Sequence, residues 1–356
     1  MRRVPVIALR GPPRLRGEAH GRAAGDRIRG FLHDGHAWLD RLSARQPFDR
    51  ARASEDLAGI ARAIAHHTPD LWSEIEGLAI GAGVPLEDAV LLQARRELMG
   101  YSRFDTLGDC TTIAVAENGR SVLAQTVDLA GPMDEQLHVL ETSGEGIAGG
   151  RAVIVTFTGL LGYLGMNAAG LAVGLNLVLA GEWGAGVPPY LVIRHLIDRA
   201  RDVPEALAML ETLPLASSRS FMLCDPRRVA CVEAAPGRLR VIEGARLAHA
   251  NHFEHPDHLA DDTLNIFARN GSTARRRAAA SLIDALPDDA EAILDALAQP
   301  PVNVRPPAGF SRERTVAAVV LEPAAGRITL RGGDPRRGPG LVLSARAQYP
   351  NAEALP

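Results

Sequence analysis

The spacing of apolar residues changes character at Cys110, and this change limits what the chain can fold into. Before it, apolar positions recur at helical intervals: Gly17–Leu42 carries Ile28, Phe31, Leu32, Trp38, Leu39 and Leu42 at that spacing. A short apolar strand is expected around Val4–Leu9. Thr68-Pro69 reads as a helix start with Pro at the first helical position, running to Gly81–Gly83, and Pro85-Leu-Glu-Asp-Ala opens another helix ending near Met99. From Cys110 onward the rhythm is that of strands. Thr111–Ala116 and Ser121–Val127 are joined by Glu117-Asn-Gly-Arg120, whose Asn-Gly is a strong hairpin signal. The same pattern pairs Leu164–Met166 with Leu171–Leu177, Phe221–Cys224 with Val229–Glu233, and Thr315–Leu321 with Arg327–Arg331. Helical segments are expected at about 189–213 and 273–298, with loops at Ser143–Gly150 and Gln299–Pro307. Hairpins interspersed with helices indicate an α+β fold of antiparallel sheets covered by helices. The strand-helix alternation of a doubly wound fold is missing, and no G-x-G-x-x-G follows a strand.

What the sequence lacks narrows its chemistry. All 39 basic residues are Arg. A chain with no Lys has no Schiff-base lysine, no lysine base and no P-loop lysine, which excludes pyridoxal-phosphate enzymes and P-loop NTPases. A net charge of −3 gives no reason to expect nucleic acid or an acidic membrane surface as a partner. The three cysteines, Cys110, Cys224 and Cys231, are too few and too odd in number for a disulfide framework and fit a reducing compartment. The first ten residues hold too short an apolar run for a signal peptide, and no stretch is long enough to span a membrane, so a cytoplasmic protein is expected. Cys224 and Cys231 are expected to face each other across a hairpin and to pack in the core.

Cys110 lies in Gly108-Asp109-Cys110-Thr111-Thr112, where the helical part ends. Cys110-Thr-Thr-Ile-Ala-Val-Ala, a turn, and Ala124-Gln-Thr-Val-Asp128 resemble the start of the catalytic subunit in the isopenicillin N acyltransferase-like family of N-terminal-nucleophile hydrolases. More distantly they are similar to conjugated bile acid hydrolases. Other segments fall in the same order as that family's motifs. They are Arg16-Gly-Glu-Ala-His-Gly21, Glu74–Gly83, Gln93-Ala-Arg-Arg-Glu-Leu98, Gly165–Asn176, His249-Ala-Asn-His-Phe253, Ser272-Thr-Ala-Arg275 and the hairpin within Thr315–Pro335. Two positions depart from the pattern: Asp109 precedes the cysteine where members often have Gly, and Thr126 replaces an Asn.

The resemblance implies a four-layer αββα sandwich of two antiparallel sheets between helical layers. It also implies self-cleavage between Asp109 and Cys110, giving a helical pro-segment or small chain (1–109) and a catalytic chain (110–356). The two would pack as one domain and remain together as a heterodimer. The chemistry fits a cysteine at a new amino terminus, because its α-amino group, with a reference pKa of about 7.7–8.0, can take the thiol proton. The resemblance makes Cys110 the nucleophile, Asp128 the group that orients its amine, and Asn176 and Asn251 the oxyanion donors. Arg275, Gln125 and Thr111 are supporting or substrate-binding candidates, and Asn167 reads as a turn residue. The substrate would be a small amide or an acyl thioester, attacked without any cofactor. Two alternatives stand beside this reading. One is a family member that has lost activity and serves as a small-molecule binding module. The other is a zinc-dependent hydrolase built on His249, His252, His255 and His258, although Pro256 interrupts that segment. A papain-like pairing of Cys110 with a histidine is a further enzymatic alternative.

Overall fold

The computed structural model describes residues 4–34, 50–99, 110–130, 133–235, 237–304 and 313–346. Strand β1 (Val6–Arg10) leads into helix α1 (Pro13–His33), whose first-turn Pro13 occupies a position where a missing N–H costs nothing. Trp38, Leu39 and Leu42, expected at the end of this helix, lie outside the described residues. Helix α2 (Arg50–His67), which the sequence reading did not single out, precedes α3 (Pro69–Ala82) and α4 (Leu86–Met99) at their expected places. Helices α1 and α3 lie unusually close together. A Cβ on Gly17 would overlap the Glu74 carbonyl oxygen, and one on Gly77 the Arg14 carbonyl oxygen.

Strands β2 (Cys110–Glu117) and β3 (Arg120–Ala130) form the expected hairpin, with Asn118 and Gly119 at φ 51° and 78°. A short helix α5 (Met133–Gln136) leads to β4 (Leu137–Ser143), β5 (Arg151–Phe157), β6 (Leu164–Asn167) and β7 (Ala172–Asn176). The expected helical segment at 189–213 is two helices, α6 (Pro189–Arg199) and α7 (Val203–Leu210). Next come β8 (Arg219–Cys224), β9 (Val229–Ala235), β10 (Arg238–Gly244) and β11 (Arg246–His249). Helices α8 (Ile266–Asp284) and α9 (Ala290–Leu297) precede β12 (Glu313–Glu322), β13 (Arg327–Gly332) and β14 (Leu341–Ser344).

The strands form two sheets. One has eight strands in the order β1-β4-β5-β6-β7-β8-β9-β10, the other six in the order β11-β2-β3-β12-β13-β14. One pairing corrects the expectation of purely antiparallel sheets: β1 runs parallel to β4 at the edge of the larger sheet. The cause is topological. A parallel neighbour needs a long crossover, and helices α1 to α5 and the β2–β3 hairpin intervene between these two strands.

The sheets stack on one another, with β2 and β3 against β7 and β8. Successive side chains of β2 and β3 point to opposite faces. Ala114, Ala116, Leu123 and Val127 join the core shared with the larger sheet, whereas Ile113, Val115, Val122 and Ala124 pack on Ile283 of α8 and Ile293 and Leu294 of α9. Both faces are buried, so these strands read as nearly unbroken apolar runs. Helices α1, α3, α4 and α6 contribute Ile28, Leu78, Leu92 and Leu196 to the core of the larger sheet. The result is four layers, helix, sheet, sheet, helix. A fully buried ion cluster ties the residues before Cys110 to those after it. Arg194 on α6 donates to both oxygens of Glu74 on α3 (3.0 and 2.9 Å), and its Nε donates to Asp198 (3.0 Å). Arg16 on α1 also donates to Glu74 (3.1 Å). Burial opposes the charge on Arg194, but Asp198 and Glu74 outweigh it and hold the guanidinium more firmly protonated than usual.

Candidate active site

Cys110 is the first residue of β2, and only 1% of its surface is exposed. Its backbone nitrogen donates to Oδ1 of Asn251 (3.1 Å), and its carbonyl accepts from Nη1 of Arg275 (2.7 Å). The same Nη1 donates to Oγ1 of Thr111 (2.9 Å), and Nη2 donates to Oδ1 of Asn251 (2.8 Å). Arg275 is therefore a buried cation whose partners are three uncharged oxygens. No ion pair forms to it among the described residues. Asn251 lies just beyond β11, which pairs with β2 and so delivers it to the cysteine. Its amide nitrogen donates to the Leu177 carbonyl (2.9 Å), and its backbone N–H to Ser272 on α8 (2.7 Å). Ser272 and Arg275, one helical turn apart, reach Asn251 and the start of β2 from the same face of α8. Four of the expected residues, Cys110, Thr111, Asn251 and Arg275, thus meet in one hydrogen-bonded group.

The other expected residues surround this group. Asp128 on β3 is fully buried, one residue past Val127, the register partner of Cys110. Its Oδ1 accepts from the Thr315 hydroxyl (2.6 Å). The register of β12 against β3 shifts between Thr315 and Ala317, so a bulge at Val316 stands opposite the Asp128–Val127 step. Asn176 ends β7. Its Oδ1 accepts from the Thr112 hydroxyl (2.6 Å), and its amide nitrogen approaches the His249 carbonyl (3.4 Å). Gln125 lies between the sheets, where its Oε1 accepts from the Leu175 N–H (3.0 Å) and its buried Nε2 has no hydrogen-bond partner among the described residues. Asn167 has the turn role expected of it. Its Oδ1 caps the Gly170 and Leu171 N–H groups (3.0 Å each), and its amide donates to the carbonyls of Ile197 and Ala200. Asp109 lies outside the described residues.

The four clustered histidines do not converge. His249 is bonded at both ring nitrogens to acceptors, the Ala250 carbonyl and Glu233 (2.8 Å each). His252 meets the Ser272 hydroxyl (2.7 Å), and His255 accepts from the Asp257 N–H (3.2 Å). Among the described residues no three His, Cys, Asp or Glu side chains are grouped to hold a metal ion. Cys224 and Cys231 are buried free thiols in the core, as expected, but they are not register partners: Cys224 pairs with Val229 and Cys231 with Met222. Burial pushes both thiols well above the ordinary range.

One residue at the site escaped sequence reasoning. The Tyr163 hydroxyl lies 3.7 Å from the Cys110 sulfur. Its only sequence signal is an aromatic between two glycines, Gly162-Tyr-Leu-Gly165, just ahead of the motif ending at Asn176.

Comparison with known proteins places the chain. The profile of the family described as acyl-coenzyme A:6-aminopenicillanic acid acyl-transferase matches residues 115–337. The match begins five residues after Cys110. A curated relative, the 40 kDa form of acyl-coenzyme A:6-aminopenicillanic-acid-acyltransferase from Emericella nidulans, is 24% identical over 250 residues, covering 69% of this chain and 68% of its own. Among solved structures, penicillin V acylase from Agrobacterium tumefaciens matches 63% of this chain and 82% of its own, at a TM-score of 0.45 and 18% identity. A mutant of conjugated bile acid hydrolase from Clostridium perfringens matches 66% and 92%, at 0.48 and 11%. With well over half of its length matched by the family profile, the chain belongs to the acyl-coenzyme A:6-aminopenicillanic acid acyl-transferase family.

Proposed function

We propose that the chain cuts itself between Asp109 and Cys110 and then uses Cys110 as an N-terminal thiol nucleophile. The reaction is acyl transfer from an amide or an acyl thioester to an amine or water. The observation that carries this reading is the grip on Cys110, with Asn251 on its nitrogen and Arg275 on its carbonyl. In the unbroken chain that nitrogen is an amide. Once the bond to Asp109 is broken it becomes an amine, and an acceptor already in place at Asn251 Oδ1 would orient it, leaving its lone pair for the thiol proton. Asp128 is assigned to the same task from the Thr315 side.

In the first step the thiolate attacks the carbonyl carbon, the C–S bond forms, and the electron pair of the C=O becomes an oxyanion. Asn251 and Asn176 are assigned as donors to that oxyanion, whose partners must lie at about 2.7–3.1 Å. The Cys110 ammonium then protonates the leaving group as the intermediate collapses to a Cys110 thioester. Attack by an amine or water releases the acyl group and restores the thiol. Arg275 holds the peptide carbonyl of Cys110 rigid and adds a positive field at the reacting end of β2. The name of the Emericella nidulans relative specifies an acyl-coenzyme A donor and a 6-aminopenicillanic acid acceptor. For this chain we carry over the classes, an acyl thioester donor and an amine acceptor.

The test is capture of the acyl-enzyme. Intact mass after mixing with acyl-coenzyme A thioesters of increasing chain length should show one acyl group, located by peptide mapping on Cys110. An active protein labelled elsewhere, or turning over with Cys110→Ala, would refute the nucleophile assignment.

A further inference from the structure

We propose that the Tyr163 hydroxyl is a hydrogen-bond donor to the oxyanion formed at Cys110, a role that rests on Cys110 being the nucleophile. The hydroxyl is 3.7 Å from Sγ, the reacting atom. That separation is long for a strong bond to sulfur. A hydroxyl at that distance from Sγ is within reach of an oxygen on the carbon that bonds to the sulfur. A donor that binds the oxyanion better than the ground-state thiol accelerates the step rather than merely binding substrate.

The tyrosine is held in that position from all sides. It is buried, its ring stacks on Tyr190 (centroids 5.1 Å apart, 16° between planes), and Phe157 meets it edge-on (5.0 Å, 78°). Gly162 allows this packing: a Cβ there would run into the Tyr190 carbonyl and Arg194, so only glycine lets this segment approach α6. Tyr190 is in turn covered by the Arg219 guanidinium (5.5 Å), which is paired with Glu97 on α4 (3.2 Å). A rigid, desolvated donor loses little to reorganisation when charge appears, which is the property an oxyanion partner requires. The amide of Asn176, by comparison, is directed at Thr112 and His249.

The role differs from thiol activation, and two reactions separate them. Acylation of Cys110 by 4-nitrophenyl butyrate passes through a tetrahedral oxyanion: the C–S bond forms, the carbonyl pair moves to oxygen, and collapse expels 4-nitrophenolate. Tyr163 keeps its proton throughout. Alkylation by iodoacetamide displaces iodide directly and forms no oxyanion. In processed enzyme, Tyr163→Phe, which keeps the ring and its stacking, should slow the nitrophenolate burst by about 10²–10³-fold and leave the alkylation rate unchanged. A burst at the wild-type rate, or one slowed by Asn176→Ala but not by Tyr163→Phe, overturns the proposal. So does an equal fall in both reactions, which would mean that Tyr163 acts on the thiol or on its packing. No burst in the wild type, or a burst that survives Cys110→Ala, overturns the nucleophile reading itself and Tyr163 with it.

Discussion

Asn251 connects both ends of the proposed chemistry. Its Oδ1 accepts from the Cys110 nitrogen and from Arg275, and its Nδ2 spends one hydrogen on the Leu177 carbonyl. If it also serves the oxyanion, Asn251→Ala in processed enzyme should lower kcat by about 10²–10³-fold, with a much smaller change in KM. Steady-state kinetics on protein confirmed by mass to carry a free Cys110 terminus checks this. A kcat near wild type would remove Asn251 from the chemistry. The residues of this group were legible in the sequence because the segments that carry them resemble the family's motifs; composition and apolar spacing alone did not mark them. His249-Ala-Asn251 leads out of the end of β11, and Ser272-Thr-Ala-Arg275 places Ser272 and Arg275 one helical turn apart on α8. Tyr163 was not legible, because its contact with Cys110 comes from the stacking of one sheet on the other, which no local pattern encodes.

Among the elements, the α1–α3 pair depends most directly on particular residues. Gly77 faces the Arg14 carbonyl, a backbone atom that cannot swing aside, so a side chain there must push the helices apart. Gly77→Ala should destabilise by about 1–3 kcal/mol through overpacking. Gly30→Ala on α1, where a Cβ meets nothing within 4 Å, should stabilise by about 0.4–1 kcal/mol. Urea midpoints at unchanged slope measure both, and equal effects would contradict close packing at Gly77. The elements that the sequence announced are those with local punctuation: the Asn-Gly turn before β3, the proline that opens α3, and the hairpin β12–β13. Strand β4 was missed because Glu141 and Thr142 interrupt its apolar run, and β5, whose Ala152–Val155 run is unbroken, because a glycine-rich loop and not a tight turn joins it to β4. Strand β10 lies at a sheet edge with Arg238, Arg240 and Glu243 on it, and its half-exposed face leaves little apolar signal. The parallel β1–β4 pairing is a property of chain path and has no sequence signature.

At the scale of the whole molecule, the residues before Cys110 are built into the same layers as those after it. They supply β1 to the larger sheet, helices to the layer over it, and Glu74 to the Arg194 cluster. His20 on α1 and His138 on β4 meet at this boundary, with ring centroids 5.4 Å apart. Burial, helped by Arg27, lowers His138 to about 4 despite its bond to the Gln136 carbonyl, and burial, with His138 and Arg194 nearby, lowers His20 well below the ordinary range. The unfolded chain therefore binds more protons than the folded one between about pH 6.5 and 4, so stability falls as pH falls through that window. Together the two imidazoles contribute on the order of a few kcal/mol to that loss. Denaturant unfolding at pH 7 and pH 4.5 should show the fall, and His138→Phe should reduce it; an unchanged difference would contradict the assignment.

The integration of the two segments also bears on self-cleavage, since a chain cut before Cys110 would be held together by these contacts and would still purify as one particle. Denaturing intact mass with N-terminal sequencing tests this most directly. The account predicts two polypeptides, 1–109 and 110–356, with Cys110 at the new amino terminus, and a single uncut chain for Cys110→Ala. A wild-type protein that transfers acyl groups while remaining one unbroken chain would contradict it.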